Sequence, residues 1–158
     1  MPLHTIITAA ISYSREVGDI VSFAMRIEHP DGTVEEATGP ISAATWGSVA
    51  NLYAAAYALS QVDPESAGTV ILKTGSTGVA DAIHGVPLDW SNTTRISQIE
   101  GHHELSQVAK RFPDLRVEVL HRYDPFLMEM QSLAKADAVA YGRERLASCG
   151  IILDAEAA

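Results

Sequence analysis

The chain contains 158 residues, of which 47% are hydrophobic and 20% are charged, and its formal net charge is −9. This composition excludes a disordered chain, and no apolar run approaches the roughly 20 residues that a membrane helix requires. The single cysteine, Cys149, excludes an internal disulfide and a cysteine-based metal site. We therefore expect one domain over residues 1–158 in the cytoplasm, and the excess of acids disfavours phosphate binding by bulk charge.

The N-terminal third predicts three strands. Residues 4–12 are apolar and β-branched, and residues 19–28 alternate between two faces, as a half-buried strand does. His29-Pro30-Asp31-Gly32 is a strong turn signal, and residues 33–38 follow as the partner strand. The three strands are expected to form an antiparallel meander.

The middle of the chain predicts a helix, a strand and a short second helix. Residues 46–61 have helical spacing of apolar positions, with Ser42 or Thr45 as the N-cap. Residues 69–85 read as a buried strand that turns into a short helix capped by Ser76. Residues 86–95, which include Trp90, are expected to form a loop.

The C-terminal third predicts two further helices that flank one strand. Residues 97–112 are amphipathic, residues 115–120 alternate as a strand, and the last helix lies within residues 126–147. Asp124-Pro125 is a typical helix start, and residues 150–158 are expected to form a tail. The order β-β-β-α-β-α-α-β-α predicts an α/β fold, with a mixed five-stranded sheet and helices on both faces.

Three short motifs, in this order, resemble those of the ribonuclease H-like superfamily. Residues 51–59, NLYAAAYAL, stand where that family has Glu-Leu-x-Ala-x-x-x-Ala-Leu, and Thr74-Gly75-Ser76 stands where it has Thr-Asp-Ser. Residues 133–140, LAKADAVA, are similar to its Ala-Asp-x-Leu-Ala signature. The resemblance covers roughly residues 4–147 and implies the ribonuclease H-like fold.

The same resemblance implies a metal-dependent active site in which most carboxylates are absent. Enzymes of the family hydrolyse phosphodiesters with two Mg²⁺ or Mn²⁺ ions, which need several carboxylate oxygens close together. The family's first three acids fall on Ala9, Asn51 and Gly75, and only the acid of the last helix is retained, as Asp137. One carboxylate does not hold two divalent ions, so we predict a catalytically degenerate domain without a cofactor.

Five further residues are candidate ligand contacts near the ends of two strands. Thr74 and Ser76 flank Gly75, where they either contact a phosphate or cap the short helix. His121, Arg122 and Tyr123 follow the last strand, and the family's catalytic-loop histidine corresponds to a position near Tyr123. These residues are predicted to contact nucleic acid or another ligand.

The residues favour a nonenzymatic binding or assembly module, and two other functions stay open. The partner of this binding or assembly module is predicted to be nucleic acid, as a single strand or an RNA–DNA hybrid, or another protein. The segment 86–98 carries one basic residue, Arg95, whereas many proteins of the family that the chain resembles have a basic protrusion there that grips hybrids.

The alternatives are an active nuclease and a structural homodimer. The nuclease would use a relocated metal site with candidate ligands Asp81, Asp124, Glu129 and Asp137. The homodimer would associate through a Met-rich helix surface. The candidate interface residues are Phe126, Leu127, Met128 and Met130, and because they span both sides of a helix, some of them are expected to be exposed.

Overall fold

The computed structural model describes residues 3–14, 20–41, 47–88 and 96–150. The elements in these ranges are β1 (His4–Ser14), β2 (Ile20–Glu28), β3 (Val34–Pro40), α1 (Gly47–Ser60), β4 (Thr69–Thr74), α2 (Thr77–Ile83), α3 (Ile96–Ala109), β5 (Leu115–Val119) and α4 (Pro125–Ser148). The predicted order of strands and helices is confirmed. The predictions for Ser42, Thr45, Trp90 and the tail beyond Gly150 concern positions outside the described residues.

The five strands form one mixed sheet in the order β3-β2-β1-β4-β5. β1 pairs antiparallel with β2, and β2 pairs antiparallel with β3. β4 is parallel to both β1 and β5, because each of these connections passes through helices. The predicted sheet is confirmed, with β1 at its centre.

The alternation of side chains along β1 creates two separate cores. Ile7 and Ala9 point to the face that is covered by α1, α2 and α3, where they join the larger apolar cluster. Ala10 points to the opposite face and packs with side chains of α4. The sheet is therefore covered by three helices on one side and by α4 on the other.

A glycine allows α1 and α3 to pack closely on the first face. A Cβ atom on Gly101 would lie 3.3 Å from Leu52 Cδ1, so a larger residue would push the two helices apart. Tyr53 lies beside this contact, and burial, followed by the charges of Glu100 and Glu104, raises the pKa of its hydroxyl.

The start of α4 is determined by its N-cap, Asp124, and by Pro125, as predicted. Asp124 Oδ1 accepts N–H bonds from Phe126 and Leu127, both 3.0 Å long, and Pro125 occupies the first turn. Within the described ranges, no helix is both long and apolar enough to cross a membrane.

The predicted dimer surface on α4 is wrong for two of its four residues. Leu127 and Met130 are 1% and 2% exposed, because this side of α4 packs on the sheet. Phe126 is half-buried, and only Met128 is exposed. The apolar residues at the start of α4 therefore belong mainly to the core.

Candidate functional site

The carboxyl ends of β4 and β5 bring several of the predicted site residues together beside the middle of β1. Ala9 of β1 lies beside Thr74 of β4 in the parallel ladder, and Gly75 follows directly. The Leu120 N–H group donates a 2.7 Å bond to the Thr74 carbonyl, which places the β5–α4 loop next to the end of β4. The carboxyl edge that β4 and β5 form is where α/β sheets commonly hold ligands.

The space next to Gly75 is filled by a leucine from α4. A Cβ atom on Gly75 would lie 2.9 Å from Leu127 Cδ2, closer than real Cβ contacts occur. Leu127 is buried in the cluster with Ala10, Ala24 and Met130. At the position where the resemblance expects a metal-binding aspartate, the fold therefore contains packed hydrocarbon.

Ala9 on β1 and Asn51 on α1 stand where the resemblance expects carboxylates, and neither residue provides one. Ala9 is 3% exposed and lies within the core between the sheet and α1. The Asn51 side chain donates a 3.0 Å bond from Nδ2 to the Gly47 carbonyl of its own helix. Its amide nitrogen is thus used to stabilise the first turn of α1.

Asp137 binds two strands at a distance from Gly75. Its Oδ2 accepts a 2.7 Å bond from Ser22 Oγ on β2, and its Oδ1 accepts a 3.2 Å bond from Thr38 Oγ1 on β3. Asp137 is ten residues beyond Leu127 on α4, which corresponds to about 15 Å along the helix axis. The structure therefore does not bring Asp137 to the position of Gly75.

Asp137 is expected to contribute to stability. Asp137→Ala would leave the fully buried Ser22 hydroxyl without its acceptor, and we expect a loss of about 1–3 kcal/mol in the free energy of unfolding. Urea unfolding measures the change. Asp81→Ala, at an exposed position on α2, is the control and should change stability by less than about 0.5 kcal/mol.

The hydroxyl groups of Thr74 and Ser76 are both used within the turn that they flank. Thr74 is 1% exposed, and its Oγ1 accepts the Ser76 N–H at 3.1 Å. Ser76 Oγ accepts the Val79 N–H at 3.4 Å, which confirms the predicted cap of α2. Burial removes Thr74 from direct contact with a ligand, and Ser76 is engaged as a cap.

His121, Arg122 and Tyr123 form an exposed cluster in the loop after β5. The Arg122 guanidinium lies 4.7 Å from the centre of the Tyr123 ring, and the rings of His121 and Tyr123 are 5.5 Å apart. His121 Nδ1 accepts the Tyr123 N–H at 3.2 Å, and Tyr123 is 62% exposed. The loop therefore presents an aromatic ring and a cation to solvent beside the end of β4.

The remaining candidate metal ligands are dispersed over the surface. Within the four described ranges, no three His, Cys, Asp or Glu side chains are grouped so that they could hold a metal ion. Asp81 and Glu129 are exposed on separate helices, and Asp124 is used as the cap of α4. His102 Nε2 lies 3.1 Å from the Val86 carbonyl, whereas His103 is exposed.

Sequence reasoning missed Leu127 as the residue that occupies the site. The available signal was the helix start at Asp124-Pro125, which places Asp137 more than three turns into α4. A helix that begins directly after β5 brings its first turn, rather than Asp137, to the end of β4.

No protein-family model and no curated protein matches the chain. Among solved structures, the N-terminal RNase H domain of a Mycobacterium tuberculosis protein, fused to maltose-binding protein, is 17% identical, with a TM-score of 0.66, over 88% of this chain and 98% of that one. RNase H1 from Halobacterium salinarum is 14% identical, with a TM-score of 0.64, over 87% and 98%. LC11-RNase H1, in complex with an RNA/DNA hybrid, is 18% identical, with a TM-score of 0.61, over 85% and 99%. The chain has the ribonuclease H-like fold that its motifs imply.

Proposed function

We propose that this ribonuclease H-like domain has no nuclease activity and binds single-stranded nucleic acid at the carboxyl edge of its sheet. The observation that carries the loss of activity is the packing of Leu127 against Gly75. The exposed cluster of His121, Arg122 and Tyr123 at the same edge supports the binding role.

The residues present do not fit the pair of divalent ions that the fold family implies. Two hard cations need several oxygen ligands close to one another. Ala9 and Gly75 provide no oxygen from their side chains, and Asn51, whose Nδ2 donates to its own helix, offers only one neutral amide oxygen. The carboxylate of Asp137 accepts two hydroxyl bonds about 15 Å along α4 from Leu127.

The charge of the chain favours base stacking over phosphate binding as the mode of contact. With a net charge of −9, phosphate contacts are opposed by the protein as a whole. A stacked base instead uses the face of an aromatic ring, and each stacking contact is worth about 1–3 kcal/mol. Tyr123 provides such a ring, and Arg122 beside it provides one cation.

A single strand fits this surface better than a hybrid duplex. LC11-RNase H1 was solved with an RNA/DNA hybrid, which supports nucleic acid as the ligand class. In many relatives a basic protrusion grips the hybrid, whereas residues 86–98 of this chain contain Arg95 as their one basic residue. Stacking requires unpaired bases, so the cluster is suited to a single strand.

Fluorescence anisotropy with labelled single-stranded DNA and RNA tests the binding role. We expect Tyr123→Ala to weaken binding by about tenfold or more, because it removes one stacking platform. Tyr123→Phe retains the ring and is the matched control, which should bind like the wild type. Arg122→Ala should make the slope of log K against log salt concentration less steep, by the amount expected for about one phosphate contact.

Equal binding by the wild type and Tyr123→Ala would refute the proposed interface. Absence of binding to either oligonucleotide, with a protein bound to the same cluster instead, would favour the protein-assembly alternative.

A cleavage assay on an RNA–DNA hybrid with Mg²⁺ or Mn²⁺ tests the loss of activity. We expect no turnover above the protein-free control. Robust turnover that is abolished by Asp137→Asn would overturn the proposal in favour of an active nuclease with a relocated metal site.

A further inference from the structure

The outward face of α4 carries an acid near one end and a base near the other, each without an oppositely charged residue one helical turn away. Glu129 and Arg143 are fourteen residues apart, nearly four helical turns, so they point to the same side at a spacing of about 21 Å. Neither has an oppositely charged residue three or four positions away, and within the described ranges neither forms an ion pair.

The surface between these charges consists mainly of small and apolar side chains, with Lys135 at its margin. Ser132, Ala136 and Ala140 follow one another at intervals of four residues, and Leu133 beside them is 43% exposed. A shallow cavity of about 430 Å³ lies along this stretch, lined by Ser132, Lys135, Ala136, Val139, Ala140 and Arg143. Helix axes can approach to about 8 Å where the side chains at the contact are small.

We propose that this face binds a second copy of the chain, with the two α4 helices antiparallel and Ala136 at the two-fold axis. In a two-fold contact, positions equally distant from the axis residue face each other. Glu129 precedes Ala136 by seven residues, and Arg143 follows it by seven. Each Glu129 therefore lies opposite Arg143 of the second copy, and two ion pairs form.

The charge pattern distinguishes this arrangement from the alternatives. A parallel pair of helices would place Glu129 against Glu129 and Arg143 against Arg143, which is unfavourable. Symmetry about a single residue is what a self-complementary contact requires, whereas an unrelated partner imposes no such relation. The same axis places Leu133 of one copy opposite Val139 of the other, an apolar contact, and Ser132 opposite Ala140.

Sedimentation equilibrium of the full chain tests the proposed dimer. A contact between two single helices is small and is expected to have a Kd in the micromolar range. A reversible monomer–dimer equilibrium should therefore appear between about 5 and 500 µM. Glu129→Arg and Arg143→Glu should each weaken the dimer by about tenfold or more, since each creates like-charge contacts. The double variant restores the pairs with reversed sign and should dimerise within about threefold of the wild type.

Two further variants test the contact. The first controls for a general effect of charge, and the second tests whether Ala136 lies at the two-fold axis. Arg145→Glu makes the same change of charge as Arg143→Glu, but it lies two and a half turns from Ala136, on the other side of α4. It should leave dimerisation unchanged. Ala136→Cys in a Cys149→Ser background should form a symmetric disulfide under mild oxidation, because two residues at the axis lie within disulfide range.

Three results would overturn the proposal. The first is a monomer at every concentration, and the second is failure of the double variant to recover dimerisation. The third is an equal loss with Arg145→Glu. The substituted side chains of α4 are exposed or partly exposed, so far-UV circular dichroism should match the wild type in each variant.

Discussion

Gly75→Asp is expected to destabilise the fold by about 2–3 kcal/mol without producing nuclease activity. The new Cβ would lie 2.9 Å from Leu127 Cδ2, so the leucine would have to move within a packed cluster. Gly75 itself is exposed, so the new carboxylate can reach water and the cost is mainly steric. Urea unfolding measures the first effect, and the hybrid-cleavage assay measures the second.

A double-mutant cycle with Leu127→Ala isolates the contact between the two positions. Leu127→Ala alone should cost about 2–5 kcal/mol, because it empties a fully buried site. The double variant should lose less stability than the sum of the two single losses, by about 1 kcal/mol or more. The reason is that truncation of Leu127 removes the atom that the aspartate meets. Additive losses would show that Leu127 does not restrict position 75.

Gly78→Asp is the matched control for the substitution at Gly75. A Cβ atom on Gly78 would meet only Ser76 Oγ, at 3.5 Å, which is an ordinary contact. An aspartate in the first turn of α2 is also favourable with respect to the helix dipole. This variant should therefore remain as stable as the wild type, and an equal loss at both glycines would refute the steric explanation.

The fold was predictable from the sequence, because turn residues and periodicity agreed along the chain. The Pro-Asp-Gly turn after His29 predicted the β2–β3 hairpin, and Asp124-Pro125 predicted the start of α4 to within one residue. The parallel pairing of β4 with β1 followed from the helix that leads into β4. Each of these inferences depends on local chemistry or on a simple rule of chain connection.

The filling of the site was not predictable in the same way. The motif around Asp137 depends on neighbours in sequence, whereas the contact of Leu127 with Gly75 depends on how α4 crosses the sheet. Phe126, Leu127 and Met128 are consecutive apolar residues, so spacing alone did not indicate which of them faces inward. That choice follows from the position of the sheet, which buries Leu127 and leaves Met128 exposed.

Gly68→Ala is expected to cost more than about 3 kcal/mol in the free energy of unfolding. Gly68 has a φ of +65°, and a Cβ atom there would overlap the Leu3 carbonyl group. That carbonyl accepts the Thr69 N–H at 2.9 Å, at the point where β4 begins to pair with β1. An added methyl group would therefore separate the two strands at the start of their parallel ladder, which denaturant unfolding would detect.

Gly32→Ala separates the steric effect at Gly68 from the effect of its backbone conformation. Gly32 has a φ of +88° in the β2–β3 turn, and a Cβ atom there would have no neighbour within 4 Å. Its substitution should cost only the strain of a left-handed conformation, about 1–2 kcal/mol. The excess loss at Gly68 then measures the close approach of β1 to β4. Equal losses at the two positions would mean that conformation alone requires glycine there, and that the Leu3 carbonyl can move aside without affecting the sheet.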